Sequence, residues 1–536
     1  MPLKAGRSDV TSRGPAWLVP ALIGVSACFT SSEGLEPPPE SLYYPTGVAL
    51  SPGGGTLFVA SSDFDLQFNG GTVAAVAWGT PGGLRERALQ VATSVQAGAP
   101  FAETCAAIGA SKNDNAQLYP GVCTPIDMQP FVKKSATIGA FASSAVVVAK
   151  QGEPGARLFV PVRGDPSVTW FDIVDDRDPA APSSPCGDAF CLSCAGEGEG
   201  LRCGPSHRAG ELAYDNPRGL VLPVEPTGIA ADPTGEALVI AHQTTKSASL
   251  VVNRWGSGTR RPTLQHFIDT LADGPTGVGA IPVPAIVAAS RDDSGVPAVG
   301  YAPAFVLTHS VTAQLTIVRY ESDARSQPPR PFLTIADQTP IALASLGTDS
   351  RGIAIDGRER ALCETSCGTD LACLEICLET PLRLYVANRT PASLISGRIV
   401  SKAARTDGVV TGVSDKIELD ELEPLEFGAS NVILGDVVGL TGELEPRVFV
   451  VAFDARFILA YDPRTRGTAN IRTGRGPHGV LVDARVDAEG NASSFMAVAH
   501  FTDSYLGVVD LDTRNNGTFG QMVLSVGPPV PPRDTQ

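Results

Sequence analysis

Short apolar runs closed by Gly, Pro or Asp recur along the whole chain, and two of them align landmark for landmark. Residues 45–60 read PTGVALSPGGGTLFVA and residues 226–241 read PTGIAADPTGEALVIA. Pro45 falls on Pro226, Gly47 on Gly228, Pro52 on Pro233, Gly54 on Gly235, Leu57 on Leu238 and Ala60 on Ala241. Each copy predicts a short strand, a Pro/Gly turn and a second strand. A hairpin of this size cannot bury its own apolar faces, so the unit has to recur and stack.

With the small-residue second strand as marker, seven segments fit: LFVA (57–60), LFVP (158–161), LVIA (238–241), FVLT (305–308), LYVA (384–387), VFVVA (448–452) and FMAVA (495–499). First strands are expected at 46–51, 141–149, 227–232, 276–281, 351–356, 431–438 and 478–483. Third strands are expected at 72–78, 167–173, 249–255, 314–320, 394–400, 456–462 and 506–511. A fourth, outer strand is plausible in several units, for example FLTI at 332–335. Repeated small sheets with Gly/Pro turns predict an all-β chain, a β-propeller of seven blades. Units 2, 4 and 6 are degenerate, so six and eight blades are the alternatives.

The order Pro-x-Gly, strand, Gly turn, two apolar residues with Val-Ala, polar loop and a strand ending in Asp resembles the YVTN-type and lactonase-like bacterial propeller repeats. The resemblance runs from Tyr44 to about Val526. It implies the fold. These repeats host many activities as well as plain binding proteins, so it does not choose a function.

The propeller is expected over 44–530, with about seventy residues per unit against the roughly 40–50 of a usual blade. The surplus sits in four insertions, at about 81–135, 174–220, 357–381 and 401–428, the last read as a charged connection. Long loops on a rigid scaffold are where specificity is usually placed.

The remaining composition adds an address. Lys4, Arg7 and Arg13 precede the apolar stretch 16–27, which is short for a bilayer span and ends in small residues, so 1–27 reads as a signal peptide. Val25-Ser26-Ala27-Cys28 resembles the bacterial lipobox, which implies lipid on Cys28. The alternative is an ordinary secretory signal followed by a chance cysteine. Phe29 favours the outer membrane by the same resemblance, and 28–43 reads as a tether. Partners are thus expected to be the membrane, through that lipid, and an envelope protein, glycan or small ligand. Net charge is −16, with 41 basic and 57 acidic side chains. That leaves no basic footprint for nucleic acid.

Setting Cys28 aside leaves ten cysteines in three groups: Cys105 and Cys123; Cys186, Cys191, Cys194 and Cys203; Cys363, Cys367, Cys373 and Cys377. Even, clustered cysteines in an exported chain read as disulfides. CETSCGTDLACLEIC places two i, i+4 pairs on helical turns, with Gly368 to end the first helix and Thr369 or Asp370 to cap the second. A short helical hairpin with Cys363–Cys377 outside and Cys367–Cys373 inside follows, with a tetrathiolate zinc site as the alternative. In the middle group, Cys191-x-x-Cys194 could form a redox pair, but nothing thioredoxin-like surrounds it.

The position following the second strand reads Ser61, Val162, His242, His309, Asn388, Phe453 and His500. Antiparallel pairing brings His478, at the start of a first strand, to the same face. Arg163 and Asp454 join it one residue further on. Two readings compete. His242, His309, His478 and His500 could converge on a metal or act as bases in a lactonase-like hydrolysis. Alternatively they cap strand ends, kept apart by the width of the ring. Serine-hydrolase elbows, HExxH and P-loop motifs are absent from the sequence. The expectation is therefore a non-catalytic binding or scaffold protein of the envelope without a cofactor, the alternative being a lactonase-like or metal-dependent hydrolase.

Overall fold

The computed structural model describes residues 34–115, 120–195, 202–255, 261–291, 298–323, 330–342 and 349–529. Residues 1–27, expected as a signal peptide, and Cys28 lie outside the described residues. Seven antiparallel sheets follow one another along the chain, over 45–137, 146–209, 226–268, 275–340, 350–424, 431–472 and 477–526. This is a seven-bladed β-propeller. In six blades the four strands pair in chain order. In blade 2 the outer strand is split into Leu192–Ser193 and Arg208–Ala209, both paired to Ser167–Ile173. Every marker segment lies in the second strand of its blade. FLTI lies in the outer strand Arg330–Pro340.

The first strands of successive blades lie against one another around the axis, and the glycine of the repeat explains how closely. A Cβ on Gly47 would come within 2.7 Å of Ser144 backbone in blade 2. On Gly228 it would come within 2.1 Å of the Thr276 oxygen, and on Gly277 within 2.3 Å of the Arg351 oxygen. A Cβ on Gly352 would meet Asn431 Oδ1 at 2.4 Å and the Val432 backbone nitrogen at 2.7 Å, and one on Gly479 would meet Thr46 of blade 1 at 2.7 Å, joining blade 7 to blade 1. Only a residue without a side chain lets the backbones approach so far. Outward from this inner ring, the second and third strands bury both faces against neighbouring blades. The strands Thr56–Ser61, Ala237–His242 and Ala304–His309 are buried throughout.

Closure between blades 7 and 1 uses side chains and an insertion, since each of these blades is built from its own stretch of chain. Buried Asp483 of blade 7 accepts from Trp78 Nε1 (2.7 Å) and Arg85 Nε (3.0 Å) of blade 1, and from its neighbour Arg485 Nε (2.9 Å). The 81–135 insertion forms helices α1 (Leu84–Gln96) and α2 (Phe101–Ala107). Leu84, Ala88 and Val91 of α1 share a core with Phe495, Leu506 and Leu524 of blade 7. Beyond the Cys105–Cys123 disulfide the segment runs along the outer strand of blade 7. Val122 N donates to the Met522 oxygen (3.2 Å), Ile126 N to the Ser525 oxygen (2.9 Å), and Gly527 N to the Ile126 oxygen (2.8 Å).

Two expectations need correction. Residues 401–424 are not a loop; they extend strands Ser393–Thr406 and Val409–Pro424 of blade 5 into a long hairpin. Val413, Asp415 and Ile417 face inward and Ser414 and Lys416 outward, a period of two that the charged residues obscure. Part of the expected tether is also docked: Leu42 is buried in the core of blade 1, and Asn69 N donates to the Leu35 oxygen (2.9 Å).

The long hairpin packs against helices α3 (Ala285–Ala289), α4 (Arg358–Cys367) and α5 (Leu371–Cys377), burying Ile286, Val287, Leu374 and Val413 together. Helices α4 and α5 carry nested disulfides, Cys363–Cys377 and Cys367–Cys373, and Asp370 caps α5. The middle cysteines pair as Cys186–Cys191 and Cys194–Cys203.

Two substitutions test this account. Gly277→Ala forces the inner strands of blades 4 and 5 apart, for a loss of about 1–3 kcal/mol in urea unfolding. Asp483→Ala strands Arg85 at the seam and costs about 3–5 kcal/mol, whereas Asp487→Ala, on the exposed turn nearby, leaves the unfolding midpoint close to the parent's.

Candidate functional site

The ends of the second strands and the starts of the first strands meet at one face of the ring. Pro45 pairs with Ser61, Ala142 with Val162, Pro226 with His242, Pro275 with His309, Ser350 with Asn388 and Pro477 with His500. In blade 6 the equivalent residue is Ala452, which pairs with Phe457 as His500 pairs with Tyr505. Phe453 therefore stands one place further on than the sequence comparison put it, level with Arg163, Arg389 and Phe501.

His242 and His309 are locked into the fold by the same device. His242 Nδ1 lies 3.2 Å from the Val224 oxygen and Nε2 lies 2.8 Å from Ser249 Oγ. His309 repeats this with the Ala272 oxygen (3.1 Å) and Thr316 Oγ1 (2.9 Å). A carbonyl only accepts, so Nδ1 carries the proton and Nε2 accepts from the hydroxyl. Burial holds both imidazoles neutral, pushing His242 down to about 4 and His309 below its ordinary value. Asn388 plays a similar part in blade 5, accepting from Ser350 Oγ (3.3 Å) and donating to Ser393 Oγ (3.2 Å).

His500 has the same place but not the same partners. The residue seven positions on is Ser249 in blade 3, Thr316 in blade 4 and Gly507 in blade 7, which has no hydroxyl. Among the described residues neither buried ring nitrogen of His500 has a hydrogen-bond partner, and the ring stacks on Tyr505 at 4.1 Å between centroids. Burial pushes it down to about 3. His478 Nδ1 donates across the seam to the Thr46 oxygen (2.8 Å). Arg163 Nε donates to Glu225 (2.7 Å) and Arg389 pairs with Asp454 (2.6 Å).

The four histidines do not gather. Among the described residues, the one group of three or more His, Cys, Asp or Glu able to share an ion is Cys363, Cys367 and Cys377, whose sulfurs are held in disulfides. The helical hairpin and the Cys105–Cys123 insertion both leave from the opposite ends of the sheets. The former joins the end of Ser350–Asp356 to the start of Leu382–Asn388, so these pinned loops stand away from the histidine face.

What this face does assemble is aromatic. Tyr44, Phe64, Phe141, Phe453 and Phe501 converge from four blades. Ring centroids lie 5.0 Å apart for Tyr44–Phe501, 5.3 Å for Phe64–Phe501, 5.8 Å for Phe64–Phe141 and 6.0 Å for Phe453–Phe501. His478 stands at the inner edge, 6.0 Å from Phe501. Phe64 is 52% exposed and Leu66, on the same loop, 59%. Around the patch run the ion pairs of Arg163, Arg389 and Arg475, the last with Asp503. The available signal was Phe453 and Phe501 at one repeat position, hidden by the one-residue slip in blade 6.

Next to Phe64, Asp63 is buried at a left-handed backbone position (φ 50°), with Oδ1 accepting from Phe68 N (3.2 Å) and Oδ2 without a partner among the described residues. Burial pushes this carboxyl up to about 7, against the pull of the Phe68 amide.

No family model matches the chain, and no curated protein matches it. Solved structures similar to it include BBS1N in complex with ARL6DN, at 12% identity over 74% of this chain and 84% of that one, TM-score 0.38. A putative 6-phosphogluconolactonase from Bacteroides uniformis ATCC 8492 is 10% identical over 81% and 86%, TM-score 0.38. Kuenenia stuttgartiensis hydrazine synthase is 10% identical over 90% and 99%, TM-score 0.41.

The folded carboxyl of Asp63 keeps a proton that the unfolded chain releases near pH 4. Its contribution to stability therefore falls as pH rises from about 4 to about 7, and is flat above. Asp63→Asn, which tolerates the left-handed backbone, removes that fall. The variant should gain about 1–3 kcal/mol over the parent at pH 8 and little at pH 4, measured by urea unfolding at both values.

Proposed function

We propose that the protein is a non-catalytic binding protein of the cell envelope, tethered by lipid on Cys28, and that a partner protein docks on the aromatic sector of the histidine face. One observation carries this reading. On a face whose buried histidines are committed to holding strands together, or sit without access to solvent, an aromatic patch with Phe64 exposed and Phe141, Phe453 and Phe501 half-buried is the part left open to another molecule. An apolar centre of Phe side chains ringed by ion-paired arginines has the anatomy of a protein interface. The five disulfides support an oxidising compartment. The lipobox resemblance supports the membrane address.

Purified protein carrying the lipid is incubated with envelope extract and captured partners are quantified by mass spectrometry. Phe64→Ala, at an exposed site, and Phe501→Ala should each deplete a specific partner, with Leu362→Ala on the exposed flank of α4 leaving it unchanged. Stoichiometric metal in the purified protein, with lactone turnover lost in His242→Ala and His500→Ala, would overturn the proposal in favour of a hydrolase.

A further inference from the structure

The register of the seven blades isolates one interface that departs from the rest. Opposite Tyr385 on the third strand of blade 5 stands Ser396. At the same register the other blades carry Ala75, Trp170, Leu250, Ile317, Ala460 and Val508, all apolar and all buried. Ser396 is partly exposed. It faces blade 6, which presents a second departure. Tyr461, also partly exposed, occupies the register that Val76, Phe171, Val251, Val318 and Val509 fill as buried apolar residues. Where these two positions meet, the packing that elsewhere seals one blade to the next gives way to a cleft of about 320 Å³.

The cleft is polar and electrically balanced. Its lining carries Arg383, Arg398 and Arg466 against Glu359, Asp420 and Glu421. Arg383 pairs with Glu359 (2.6 Å), and Arg466 of blade 6 reaches Glu421 of blade 5 (2.9 Å). Arg398 donates to Glu418 (3.1 Å) and lies 3.7 Å from Asp420. With each guanidinium already facing a carboxylate, an anion would have to displace a partner. Each arginine still has donors to spare, since it carries five N–H groups. Carboxylate oxygens stand beside them, so the walls offer donor and acceptor side by side, matched to groups that both donate and accept. Adjacent hydroxyls on a sugar ring are such groups, and Tyr461 in the lining supplies an aromatic ring to the apolar side of the same sugar. The volume is at the small end of ligand sites, too small for a folded partner.

We propose that the cleft between blades 5 and 6 is a binding site for a short neutral saccharide. It is a different surface from the aromatic sector and does not depend on the docking described there.

Titration calorimetry on the purified full chain tests this, with maltose, cellobiose and N,N′-diacetylchitobiose as probes and inorganic phosphate as the anion control. At least one disaccharide should bind saturably. Ser396→Leu and Tyr461→Val, which restore residue types used in the other blades and so keep the fold, should each weaken it by about tenfold or more. Phe64→Ala should leave it unchanged. The proposal is overturned if none of the three disaccharides binds, if both cleft variants bind as well as the parent, if phosphate competes for the site, or if Phe64→Ala abolishes binding.

Discussion

The ring depends on how near one backbone can come to the next. At Gly47, Gly228, Gly277, Gly352 and Gly479 the inner strand of one blade touches the inner strand of its neighbour with no side chain between them. That contact sets the spacing at the axis, and the spacing decides how far apart the outer strands splay. The apolar residues of the second and third strands then fill a gap of fixed width, which is why they are buried on both faces. In blades 3 and 4, His242 and His309 finish the arrangement by tying the second strand to the loop that enters its blade.

This division of labour explains why a row of histidines at one repeat position does not gather at one point. A buried strand end leaves backbone carbonyls in want of donors, and a neutral imidazole can satisfy one carbonyl and one hydroxyl at once. Repetition of the position multiplies that local solution around the ring without bringing the copies together. The chemistry of the face is instead sectored, with aromatic rings over blades 6, 7, 1 and 2 and hydrogen-bonded histidine or asparagine over blades 3, 4 and 5.

Much of the architecture was legible from period and punctuation. The seven marker segments, their flanking strands and the hairpin of α4 and α5 follow from local signals: alternation, Gly/Pro turns and paired i, i+4 cysteines. The losses have physical causes. In blade 6, VFVVA is one residue longer than LFVA, and nothing local says which end of the run is the strand end, so Phe453 was displaced by one. In 401–424 the inward residues include Asp415, which accepts from Ser401 and Arg319 rather than facing solvent, so charge masked a strand. The aromatic patch draws Phe64 and Phe141 from loops of different blades, and only the closed ring makes them neighbours. The cleft by Ser396 is visible only as a break in a pattern, and the pattern needs the strand register before it can be read.

The segment around Ile126 has one further effect. The outermost strand of a sheet ordinarily presents a row of free amides and carbonyls, an open template on which another chain can add itself. By laying its own backbone along Met522–Val526, blade 1 occupies that template on blade 7. The chain thereby shields one of its own sheet margins from intermolecular β-pairing, and loosening the segment would expose a site from which aggregation could begin.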